Sequence, residues 1–203
     1  MRDNYVYILT KLMRDPSLGV IFKPKVPSTL YRRLGPAADL LDRAVATGRC
    51  LVIEGGALHG SYPPVMAALA SDVVIHGHLC AATAGIECAL ARVPTLLLDR
   101  EGWPVSRLHA LGHDVVFQDW DGLWQALEDH WRTPGGNPRL GDWSSMVHEF
   151  DPFRDGRAAQ RMGTYLQWLL EGFQAKLPRN IVLADAAQRY AKIWGKDKVF
   201  IDT

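Results

Sequence analysis

Cysteine is scarce in this chain, with three among 203 residues: Cys50, Cys80 and Cys88. So few, so irregularly spaced, exclude a disulfide framework and point to free thiols in a reducing compartment. Charge of one sign is also lacking in excess. Lys and Arg number 23 against 22 Asp and Glu, for a net charge of +1, which removes the overall electrostatic case for nucleic-acid binding. No apolar run approaches the roughly 18 residues that a membrane span requires. The N-terminal MRDNYVYILTKLMRD has charges on both sides of its short apolar stretch, unlike a signal peptide. The chain therefore reads as cytoplasmic, with the inner face of a membrane within reach only through a partner. A P-loop is missing, and so is a GxGxxG after the first strand, which argues against nucleotide hydrolysis and NAD chemistry. Repeats and low-complexity tracts are absent. The seven tryptophans are too dispersed for a stacking platform and read mostly as core or domain-contact residues.

Ordinary globular composition is what remains: 48% hydrophobic and 22% charged. Apolar spacing predicts a helix over residues 4–15, closed by the breaker DPSLG. Leu18–Phe22 reads as a first buried strand. Residues 28–47 read as one helix, with Leu30, Leu34, Leu40, Leu41 and Val45 on one side and Gly48 as its stop. Further strands are expected at 50–56, 72–77, 94–99 and 114–119, and helices at 62–70, 84–92, 105–112 and 121–132. The strands are continuous apolar runs, as in parallel strands covered on both faces. Their alternation with helices implies a doubly wound, Rossmann-like parallel sheet of about five to six strands. A turn-rich loop at 133–142 precedes a strand-free end. There, 153–173 reads as a long helix with Met162, Tyr165, Leu166, Leu169 and Leu170 on one side, and 180–194 as the last. The domain reading is a linker helix at 1–15, a Rossmann-like domain at 16–150 and C-terminal helices at 151–203.

The stretch HGHLCAATAGIECALARVPTLLLD, 76–99, admits three readings. His76, His78 and Cys80 alternate on an extended segment and so share one face. Zinc, however, needs three or four ligands, commonly with paired spacings, and no second cluster accompanies these three, so no metal is expected. The second reading is a ligand cradle. Ligands of open parallel sheets sit beyond the carboxyl ends of the strands, where His76 lies. The following helix would offer unpaired backbone N–H groups and a positive dipole end, and Thr83, Ala84 and Gly85 are small enough for close approach. Thr83 reads as the N-cap. Glu87, four positions on, is one too far for a capping box, which leaves its carboxylate to accept from vicinal hydroxyls such as those of a ribose. The third reading is packing: small residues also let a helix lie close on a sheet.

Lys23 and Lys25, at the end of the first strand, suit a diphosphate or a sugar carboxylate, or are simply solvated. Arg154, Arg157 and Arg161 stand near a helix start and oppose its dipole. Ligand contact is expected for Arg154 and Arg161, and structural pairing for Asp155. Glu54 and His59 follow the second strand and could line the same crevice with His78, while Asp99 follows the fourth and could reach a sugar.

The order of strand, His/Gly turn, small residues, early Glu and second strand in IHGHLCAATAGIECALARVPTLLLD resembles the donor-binding half of GT-B glycosyltransferases. GVIFKPK, 19–25, looks like the first strand of that domain in bacterial surface-polysaccharide transferases. DPFRDGRAAQRMGTYLQWLL, 151–170, looks like their closing element, and CDP-glycerol glycerophosphotransferases carry related segments. The resemblance covers about residues 5–172. It implies one half of a GT-B fold and a nucleotide-activated sugar (UDP-, GDP-, CDP- or CMP-linked) as substrate, with no cofactor. Glu87 would lie at the ribose and the helix start at Thr83–Gly85 near the donor phosphates. It also implies that the acceptor site, and often the catalytic base, lie in an N-terminal domain or partner chain, so no catalytic residue is assigned here. Other outcomes of the same pattern are a sugar-nucleotide epimerase, a CDP-alditol phosphotransferase, or a non-catalytic partner subunit of a polysaccharide enzyme.

Overall fold

Leu9 and Leu12, one helical turn apart, are both fully buried, and they fix how the first helix sits. The computed structural model describes residues 2–55, 62–79, 82–102 and 104–198. These fall into two compact units, Met1–Val147 and His148–Thr203. The first is a mixed α/β unit and contains α1 (Arg2–Arg14), β1 (Val20–Phe22), α2 (Leu30–Leu34), α3 (Ala38–Ala46), β2 (Cys50–Val52), α4 (Pro64–Ala68), β3 (Val74–His76), α5 (Thr83–Leu90), β4 (Thr95–Leu98), β5 (Val116–Phe117) and α6 (Trp120–Arg132).

The five expected strands are present, each shorter than the apolar run that announced it. They pair in parallel as a two-stranded sheet, β1–β2, and a three-stranded sheet, β3–β4–β5. One continuous sheet was the expectation; among the described residues no ladder joins β1 to β3. Strands of two to four residues make few ladder bonds, and side-chain packing carries the connection instead. Ile8 of α1 packs against the core beneath β1 and β2 and also against the core of β4 and α6. All four residues of β4 are buried, as its central place between β3 and β5 requires.

α1 also sets the direction of the whole unit. Its Asn4 lies against Gly77, just past β3, and its Oδ1 accepts from Arg100 Nη1 (3.2 Å), just past β4. At its other end, Arg49 Nη1 donates to Leu12 O and to Leu18 O, at the amino ends of β2 and β1. α1 thus runs antiparallel to both sheets, and every strand's carboxyl end lies toward the N-terminus of α1. Tyr7 stacks on Trp120 (5.0 Å) and Lys11 Nζ lies over Trp124 (4.9 Å). An aromatic row thereby forms from residues far apart in sequence.

Three helix expectations are corrected. The helix at 28–47 is broken at Gly35–Pro36: Gly35 has φ +56° and Pro36 has no N–H to donate, so a short 3-10 turn, Gly35–Ala37, separates α2 from α3. Val45, expected on the apolar side, is 42% exposed. The helix at 105–112 is instead a 3-10 helix, Arg107–Leu111, N-capped by Ser106 and ended by Gly112 at φ +78°.

A helical turn, α7 (Val147–Phe150), leads into the second unit, where α8 (Ala158–Gln174) and α9 (Arg179–Trp194) pack together. α8 starts later than the expected 153, because Arg154 and Gly156 adopt positive φ. Tyr165 meets Tyr190 and Trp168 meets Trp194 across the pair, and Gly172 lets Val182 approach closely. Met162, Leu166 and Leu170, expected on the packed side, are 65%, 51% and 60% exposed. Tyr165 and Leu169, expected on the same side, are half-buried, and Trp168, outside the expected set, joins Tyr165 against α9. No helix among the described residues is long and apolar enough to cross a membrane.

Candidate functional site

The strand polarity brings most of the expected residues of the first unit to one end. Half-buried Lys23 and exposed Lys25 follow β1, exposed Glu54 follows β2, His76 closes β3 with His78 just beyond, and Asp99 closes β4. The start of α5 stands at the same end. His59 and Cys80 lie outside the described residues. Arg154 and Arg161 belong to the second unit.

α5 differs from expectation at its cap. Its N-cap is Ala82 and no side chain caps it, while exposed Thr83 is the first helical residue. The first i→i−4 bond is Ile86 N–H to Ala82 O (2.8 Å), so the N–H groups of Thr83, Ala84 and Gly85 precede the intrahelical ladder. Gly85 serves packing: a Cβ there would stand 3.2 Å from Leu97 Cδ2 and 3.4 Å from His76 Cδ2. A side chain there would press on Leu97 and His76, which would have to give by a fraction of an ångström, so glycine suits the close packing of α5 on β3 and β4.

Glu87 is not as unengaged as its spacing suggested. Its Oε1 accepts the backbone N–H of Val65 (3.1 Å) in the first turn of α4, joining α4 to α5. A carboxylate has capacity beyond one accepted bond, so this anchoring leaves acceptor sites on Glu87. Cys88, beside it and buried, has its thiol pushed up to about 11, by burial first and by Glu87 second. Burial alone raises Cys50. Neither has the low-pKa, exposed setting of a reactive cysteine.

Two imidazole–carboxylate pairs mark the carboxyl edge. His78 Nδ1 is 2.6 Å from Glu101 Oε1, both partly exposed. Asp99, expected at a crevice wall, is instead buried, its side chain 1% exposed, with Oδ2 at 3.4 Å from His109 Nε2. Burying a carboxylate demands polar partners; His109 stands at ion-pair distance from Oδ2, without an aligned hydrogen bond. Sequence reading missed His109, because a histidine inside a helical pattern carries no sign of a partner ten residues away. It also missed Asn4, which accepts from Trp120 Nε1 (3.0 Å) as well as from Arg100. Among the described residues, no group of three or more His, Cys, Asp and Glu side chains could hold a metal ion.

In the second unit, Arg161 is paired structurally and not set out for a ligand. It is buried, its Nη2 donates to Asp155 Oδ2, and its guanidinium lies 3.6 Å over the Phe153 ring. Arg154 is exposed, and its N–H donates to Asp151 Oδ1 (3.0 Å). DPFRDGRAAQR thus forms a hydrogen-bonded turn that leads into α8. The Arg161 bond, then the Arg157 N–H, hold the Asp155 carboxyl below its ordinary range. A depressed folded-state value stabilises above the unfolded value and is lost as pH falls through the folded one. Wild type is therefore expected to be more stable than Asp155→Asn at neutral pH. Acid titrations followed by circular dichroism should show the gap closing below about pH 4; a gap independent of pH would count against the pairing.

No protein-family model, curated protein or solved structure matches the chain.

Proposed function

We propose that the first unit is the nucleotide-sugar-binding domain of a GT-B glycosyltransferase of surface polysaccharide assembly, its two short sheets being a divided form of the Rossmann-like sheet. The observation that carries this reading is the start of α5 at the carboxyl ends of the parallel strands, with small residues in its first turn and Glu87 on its second. That is the position where open parallel sheets hold ligands. The N–H groups of Thr83–Gly85 and the ammonium groups of Lys23 and Lys25 supply fixed positive charge for a diphosphate. Glu87 accepts from the ribose hydroxyls. An acceptor-binding partner, as a domain or a separate chain, completes the enzyme, so the unit binds donor without turning it over.

A thermal-shift screen with UDP, GDP, CDP and CMP tests this, since binding to the native state raises the melting temperature. At least one nucleotide is expected to stabilise the protein; no shift with any of them would remove the reading. Glu87→Gln is the informative variant, because its amide oxygen still accepts from Val65 N–H and keeps α4 anchored. It is expected to weaken nucleotide binding about tenfold, the loss of roughly one charge-assisted hydrogen bond, with the ligand-free melting temperature nearly unchanged. Equal affinities by calorimetry would reject the ribose assignment.

A further inference from the structure

If this end of the sheets binds an activated donor, as proposed above, the Asp99–His109 pair has a part in reading it. We propose that His109, backed by the buried carboxylate of Asp99, contacts the hydroxyl-bearing half of the donor, a sugar or polyol. Three observations lead there. A carboxylate with 1% of its side chain exposed stands at ion-pair distance, 3.4 Å, from an imidazole that is 33% exposed, so an imidazole backed by buried negative charge presents an accessible face at a strand's carboxyl end. The element that carries His109 is also anchored: Ser106 caps it, and Leu108 belongs to the same core cluster as Leu79 and Ala82, which flank the approach to α5. Side chains held on such supports are the ones that position ligands accurately.

The third observation is the charge around the pair. Arg100 is 3.8 Å from Asp3, and Glu101 pairs with His78. The carboxyl edge of β4 therefore mixes donors and acceptors without a surplus of positive charge. A phosphate is better served by the lysines after β1 and by the first turn of α5. A neutral polyhydroxyl group, each of whose hydroxyls both donates and accepts, suits the edge of β4.

Calorimetry with matched probes tests this: UDP-glucose against UDP, GDP-mannose against GDP, and CDP-glycerol against CDP. Wild type is expected to bind at least one conjugate more tightly than the free diphosphate. His109→Phe should weaken the conjugate about tenfold, the equivalent of one hydrogen bond, and leave the free diphosphate within about twofold. Should the phenyl ring disturb the fold, as judged by the ligand-free melting temperature, His109→Ala gives the same comparison. Asp99→Asn should weaken the conjugate in the same sense, and the double variant should lose no more than His109→Phe alone. A purely structural pair would instead change the melting temperature without changing the preference for conjugate. Equal weakening of both probes, no weakening of either, or a wild type indifferent to the sugar would each overturn the contact while leaving nucleotide binding in place. A wild type that binds no nucleotide in any form overturns this contact and the donor site together.

Discussion

Gly141→Ala is expected to unfold the first unit, or to cost it more than about 3 kcal/mol, a large part of the roughly 5–15 kcal/mol that holds a domain folded. Gly141 has φ +70°, and a Cβ on it would stand 2.5 Å from Thr95 N and 2.8 Å from the carbonyl carbon of Pro94. Both are backbone atoms at the entry to β4 and cannot swing aside as a side chain would. The close approach has a purpose: Gly141 N–H donates to Asp114 O (2.8 Å) and Thr95 N–H donates to Gly141 O (3.1 Å). The segment after α6 is thereby tied to the amino ends of β4 and β5. Trp143, buried, adds an indole N–H bond to Thr95 O (2.8 Å). Gly135→Ala is the control. Its φ of +81° carries the same conformational penalty, about 1–2 kcal/mol, with no atom within 4 Å to strike. Urea denaturation should separate the two variants clearly. Equal losses would mean that backbone strain, and not collision, governs position 141.

Arg49→Met should cost about 2–4 kcal/mol, on the scale of lost hydrogen bonds from a charged donor. Arg49 Nη1 lies within bonding distance of Leu12 O (2.9 Å), Asp15 O (2.8 Å) and Leu18 O (2.9 Å). The first two end α1, where helix carbonyls lack intrahelical partners, and the third precedes β1. One guanidinium thus closes the α1–β1 turn, and Arg49 O accepts from Val20 N–H (2.8 Å) to continue the tie into the sheet. Methionine keeps the length and apolar stem of the side chain and removes the donors. Arg49→Lys should recover part of the loss, since the three carbonyls converge on one nitrogen, Nη1, and an ammonium also carries three donors, on a stem that ends at a different reach. Faster hydrogen exchange at the Val20 amide would localise the effect. Exchange unchanged at Val20 in the methionine variant would place the destabilisation elsewhere.

Much of the architecture was legible because it follows from local periodicity. Apolar runs at 18–22, 94–99 and 114–119 announced β1, β4 and β5, and the helix expected at 121–132 forms as α6, with Asp119, read as the end of a strand, accepting from Gly122 N–H (2.7 Å) as its N-cap. Punctuation by glycine and proline was visible at Gly35–Pro36 but outweighed by the apolar pattern on either side, so one helix was expected where two form. The face of α8 was placed only in part, for a related reason. Periodicity placed Tyr165 and Leu169, which are half-buried, on the expected side, but Trp168, pairing with Trp194 of α9, turns the packed side away from Met162, Leu166 and Leu170.

The candidate site divides along the same line. Its chemistry-bearing residues could be picked out one at a time, because strand ends, small-residue turns and early acidic positions are local features. What each does depends on neighbours supplied from a distance. Glu87 holds Val65, Gly85 makes room for His76 and Leu97, Arg161 belongs to Asp155 and Phe153, and Asp99 stands beside His109. By itself, then, the sequence determined the alternation of parallel strands with helices and which residue types gather at the strand ends, since both are carried by short-range patterns of polarity and size. The tertiary structure alone decided the division into two sheets, the direction imposed by α1 and the partners of Glu87 and Arg49, because contacts between residues distant in sequence leave no mark on local spacing.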